Sequence, residues 1–118
     1  MNSPDIQPSA SPPPEPDRRR HPRYTLHVQI EIRQDGSDVP MRLETTDLSR
    51  GGCYIELMIP LAVGVRVQVT LWLDGYPIVI QALVATRHPQ FGNGIKFVAF
   101  EGQAEPLLIR YLDAITAT

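Results

Sequence analysis

The sequence predicts an all-β domain: a six-stranded antiparallel β-barrel with one C-terminal helix covering it. Three observations lead there. Apolar residues alternate with polar ones in about six short runs. Turn residues separate the runs. The period lengthens to that of a helix only near the C-terminus.

The first run alternates Tyr24, Leu26, Val28, Ile30 and Ile32 with Thr25, His27, Gln29, Glu31 and Arg33, the pattern of a half-buried strand. Gln34 to Asp38 then reads as a turn around Gly36. Met41 to Thr46 forms a second strand, and Cys53 to Met58 a third that Pro60 ends. The fourth is the most regular, with Val65, Val67, Val69, Leu71 and Leu73 on one face. Asp74-Gly75 is a hairpin signal. The fifth, Ile78 to Thr86, is apolar on both faces along much of its length and is expected to be central or covered. Gly92-Asn93-Gly94 reads as a turn, and Ile95, Phe97 and Ala99 as the inward face of a sixth strand. Leu108, Tyr111, Leu112 and Ile115 follow helical spacing over about 104–117, with Pro106 suited to the first turn. The helix is expected to cover Trp72 and the face of Val98 and Phe100. Closure of the barrel removes exposed sheet edges.

Composition divides the chain into a tail, 1–17, and a domain, 18–118. The chain has 118 residues, enough for one domain. Six of its twelve prolines, Pro4, Pro8, Pro12, Pro13, Pro14 and Pro16, fall in the first sixteen residues among small polar neighbours. Such a stretch buries too little to offset its ordering entropy, so a disordered, partly polyproline-II tail is expected. The net charge of −2 excludes a globally basic nucleic-acid coat. The longest uncharged stretch, 76–86, is too short to cross a bilayer, and no secretory leader is evident, which points to a cytoplasmic protein with no membrane insertion.

Sites of common chemistries are missing from the sequence. A lone Cys53 gives neither a disulfide nor a cysteine zinc cluster, and on its alternating strand it reads as a small core residue. His21, His27 and His88 lack metal-ligand spacing. Ser49 lies outside a nucleophile-elbow context, and no phosphate-binding glycine loop of known type occurs. Neither an enzyme nor a metal or resident cofactor is expected.

Two clusters remain. Arg18, Arg19, Arg20 and Arg23 meet where the tail joins the domain, and Arg presents a planar fork of donors suited to phosphate or a purine edge. Between strands two and three stands Asp47-Leu48-Ser49-Arg50-Gly51-Gly52. Asp47 can accept from the N1–H and exocyclic amine of a guanine, or from its own turn amides. Ser49 offers a hydroxyl. Gly51 and Gly52 lack Cβ and allow close approach. Taken alone, the turn is also an ordinary Asx or Ser turn. In a small barrel the two clusters can meet on one outer surface, and together they suit a guanine nucleotide.

Arg19-Arg20-His21-Pro22-Arg23 is an RxxxR and Asp47 to Gly52 a DxSxGG. Arg18 and Arg20 cannot start the first motif, because Pro22 and Tyr24 would end it. In this order, ahead of a strand-rich pattern and a helix, the motifs resemble the PilZ domain, a bacterial receptor for the second messenger cyclic di-GMP. Gly94-Ile95-Lys96-Phe97 resembles the Gly-hydrophobic-x-Phe strand late in such domains. The resemblance covers about Arg18 to Phe100. It implies that Arg19 and Arg23 clamp the ligand through phosphate and guanine contacts, that Asp47 and Ser49 bind it from the other side, and that Gly52 lets the backbone approach while Gly51 shapes the turn. Arg18 and Arg20 flank the motif and can add charge. It also implies an arginine segment that folds over the ligand and signals to a protein partner. Two other readings compete: a nucleotide-independent protein adaptor, and a barrel for single-stranded nucleic acid. The second needs a basic groove with interleaved aromatics, which eight aromatics and a negative net charge do not supply.

Overall fold

The structure, a computed structural model, describes residues 21–117. Arg18, Arg19, Arg20 and the proline-rich tail lie outside the described residues. Six strands follow in order: β1 Gln29–Gln34, β2 Met41–Leu48, β3 Gly52–Glu56, β4 Arg66–Leu73, β5 Tyr76–His88 and β6 Gly92–Phe100, then the helix α1 Ala104–Thr116. They close into a barrel in the order β1-β2-β3-β6-β5-β4, with every pairing antiparallel. The fold class read from the sequence is the one observed.

The period-two pattern sends Ile30 and Ile32, Val67, Val69 and Leu71, and Ile80, Ala82 and Val84 into the barrel interior, where all are buried. Asp74 and Gly75 both take positive φ, 53° and 83°, as the tight turn between β4 and β5 requires. From α1, Ala104, Leu108 and Leu112 complete the core.

Four expectations need correction. Tyr24 to Val28 keeps the inward pattern at Val28 but is not continuous strand. Tyr24 makes an isolated bridge to Leu48, and the Thr45 hydroxyl takes over where the ladder breaks, accepting from Val28 N–H at 3.0 Å and donating to Leu26 C=O at 2.6 Å. Gly92-Asn93-Gly94 belongs to β6, and the turn lies before it, at Pro89 to Phe91, with Gln90 at φ 68°. Ala99 is exposed, because a bulge opposite Gln81 and Ala82 shifts the alternation. Phe100 instead turns half-buried against Phe97, edge to face at 6.0 Å. Finally, Val98 remains 61% exposed. Trp72 lies half-buried in a shallow surface hollow with Gln29, Glu31, Arg42 and Leu43, to which α1 contributes no residue.

Asn93 explains why its segment cannot be a turn. Fully buried, it accepts from Leu61 N–H at 2.8 Å and donates to the carbonyls of Leu61 and Thr86 at 2.9 and 3.0 Å. It therefore ties the β3–β4 connection to the barrel. Gly92 is held by proximity: a Cβ there would fall 2.0 Å from the Ile55 carbonyl oxygen.

Candidate functional site

The β2–β3 turn is closed by its own serine. Ser49 N–H donates to Gly52 C=O at 2.8 Å. The Ser49 hydroxyl accepts from the Gly51 and Gly52 amides, each at 3.1 Å, and lies 3.2 Å from Gly52 C=O as donor. Ser49 is buried, so this hydroxyl is committed to holding the turn. Gly52 opens β3 opposite Lys96 of β6, and the strands approach so closely that a Cβ at Gly52 would fall 2.1 Å from Ile95 C=O. Gly51 faces His21, whose ring carbon would lie 3.1 Å from an added Cβ.

Asp47, one residue before the end of β2, lies next to this turn, in register with Tyr54 of β3. The Arg23 guanidinium reaches it from the segment ahead of Tyr24, with Nη1 at 3.8 Å from Oδ2. The other carboxylate oxygen, Oδ1, is buried and has no hydrogen-bond partner. A buried acceptor without a donor costs about 1–3 kcal/mol. Arg23 and Asp47 are thus brought together at the separation of a loose ion pair, with hydrogen-bonding capacity to spare.

A hollow of about 410 Å³ opens beside them, lined by His21, Arg23, Ser49, Gly51, Gly52, Ala85, Thr86, Gly94, Ile95 and Lys96. Every described candidate except Asp47 lines it, and Asp47 joins through Arg23. Thr86 and Lys96 are additions that the sequence did not single out. The one signal for Lys96 was the Gly94-to-Phe97 stretch, which spoke of strand type and not of the site, and Thr86 on β5 had none.

A larger hollow, about 710 Å³, continues along the same strands around Tyr54, Glu56, Leu57, Met58, His88, Gln90 and Phe91. The Tyr54 hydroxyl and His88 Nδ1 are hydrogen-bonded at 2.9 Å. Partial burial, followed by the Glu56 and Asp47 carboxylates, raises the Tyr54 phenol above its ordinary pKa. Among the described residues, no group of three His, Cys, Asp or Glu side chains is placed to hold a metal ion, and no helix is long and apolar enough to cross a membrane.

Comparison with known proteins agrees with the fold. No curated protein sequence matches. Solved structures similar to the chain include the following two. The Bacillus subtilis inhibitor of motility, MotI/DgrA, is 16% identical, with a TM-score of 0.66 over 84% of this chain and 53% of that one, so the chain spans about half of that protein's length. The PilZ domain of CeSA from a cellulose-synthesizing bacterium is 20% identical, with a TM-score of 0.64 over 80% of this chain and 97% of that one. At these identities the likeness is one of fold. The PilZ domain model itself matches residues 17–114, a span that takes in both the arginine cluster and the Asp-Ser-Gly-Gly turn, and the chain belongs to the PilZ domain family.

Proposed function

We propose that this domain is a receptor for cyclic di-GMP, which it binds in the hollow beside Arg23 and the β2–β3 turn. The observation that carries the reading is the buried, unpartnered Oδ1 of Asp47 next to a guanidinium held only loosely, at 3.8 Å. A guanine supplies what both lack. Once the arginine segment shifts and uncovers Asp47, the base's N1–H and N2–H donate to the carboxylate, relieving the unsatisfied acceptor. Its O6 and N7 accept from an Arg fork, a contact worth about 1–3 kcal/mol in nucleic-acid recognition. The phosphodiesters add charge-assisted acceptors for the arginines.

Arg19 completes the RxxxR with Arg23 and is assigned to the same ligand, with Arg18 and Arg20 adding charge. Ser49 acts through the turn it closes: its hydroxyl fixes the two glycine amides and so the position of Asp47. Gly52 keeps β3 tight against β6 beneath the ligand, and Gly51 keeps the turn's outer side low. The arginine segment reorganises over the bound nucleotide, and the altered surface is read by a protein partner. PilZ domains act as binding and adaptor modules, and a role without catalysis fits this one.

Calorimetric titration with cyclic di-GMP, with GTP and cyclic GMP as controls, tests the assignment. Two arginine contacts and a carboxylate, less the cost of ordering the segment, lead to an affinity of about micromolar order, near 8 kcal/mol. Absence of heat with cyclic di-GMP, or equal binding of all three nucleotides, would refute it.

A further inference from the structure

We propose that Lys96 is a further ligand-binding cation of this site and contacts a phosphate of the cyclic dinucleotide, an inference that rests on the receptor reading above. The β3–β6 register puts Lys96 directly opposite Gly52, one strand spacing (about 4.8 Å) from the turn. It is exposed on the outer face of β6 and lines the same hollow as Arg23 and Ser49.

Charge decides its role. Arg23 is paired with Asp47, so together they bring no net charge to the hollow. Among the described residues, Lys96 makes no ion pair and is the one permanently charged group lining the hollow without a carboxylate partner. A cyclic dinucleotide arrives with two phosphodiester charges, which the neutral Arg23–Asp47 pair does not balance. An uncompensated cation across from the turn supplies part of that balance. Its neighbours on the wall carry no charge: Gly94 has no side chain, and Thr86 has a neutral hydroxyl that accepts from Gly94 N–H at 3.0 Å. The ammonium is a compact charge with three rotatable donors, matched to a phosphate oxygen more than to a purine edge.

The test is calorimetric titration of the wild type, Lys96→Gln and Lys96→Arg with cyclic di-GMP at low and high ionic strength. Lys96→Gln is expected to bind about tenfold more weakly at low salt, a decade in dissociation constant. The gap to wild type should narrow at high salt as the exposed charge is screened. Lys96→Arg should keep most of the affinity, which guards against a purely structural effect. Equal affinities of wild type and Lys96→Gln at low salt overturn the role of Lys96 and leave the receptor reading standing. A loss independent of salt also overturns it, as the mark of altered shape. Failure of the wild type to bind overturns both.

Discussion

Arg23 and Asp47 hold each other loosely, and that looseness is what a ligand can exploit. Replacing Arg23 with Ala removes the fork and leaves the Asp47 carboxylate with neither of its oxygens paired. Calorimetry should show at least about a tenfold loss of cyclic di-GMP affinity, since 1.4 kcal/mol is a decade. Arg23→Lys should recover little, because a point charge cannot bind bidentately. An unchanged affinity in Arg23→Ala would remove the residue from the site. Ser49 makes a different kind of contribution. In Ser49→Ala the Gly51 and Gly52 amides lose their acceptor, at a cost of about 1–3 kcal/mol in a buried turn. Denaturant unfolding should register that loss together with weaker ligand binding. Full stability with weaker binding would instead mean that the hydroxyl touches the ligand directly.

At the scale of the strand, β6 is governed by close approach. Gly52→Ala sets a methyl group against the Ile95 carbonyl and must push β3 and β6 apart, an overpacking cost of about 1–3 kcal/mol. Asn93→Ala strands the amide and carbonyl of Leu61 and the carbonyl of Thr86 and should destabilise the domain by a similar amount or more. Thermal melts of the two variants check both figures, and a melting temperature unchanged in either would contradict this account of the strand. The same elements show where sequence reading reaches its limit. Most of the barrel was legible because alternation survives wherever a strand has one wet face, as in β4. Gly92-Asn93-Gly94 misled because glycine and asparagine are turn formers by local propensity. Here the glycines are required by a neighbouring strand, and the asparagine by a connection thirty-two residues earlier in the chain. The bulge that exposes Ala99 has no local signature either. In the site, Arg23, Asp47 and the Ser-Gly-Gly turn stood out by residue type and spacing. That the Ser49 hydroxyl is spent internally, and that Lys96 shares the hollow, depends on pairings across the barrel.

Considered as a whole molecule, the barrel hides its one thiol. Cys53 is buried, and that burial, reinforced by the Asp47 charge and opposed by Arg23, pushes its pKa far above the ordinary value. The thiolate is therefore disfavoured in the folded state and gained on unfolding, so a thiol reagent should label Cys53 only as fast as the domain opens. Labelling of the native protein at the rate of a small-molecule thiol would contradict the burial. Closure has a second consequence, for communication. Each of the six strands is hydrogen-bonded to a neighbour on both sides. Among the described residues the vacant main chain is confined to short stretches such as 41–44 of β2 on the side away from β1, so a partner that adds a strand of its own finds little to extend. A protein that reads this domain would do so chiefly through side chains, in the chemistry of the outer wall more than in main-chain mimicry.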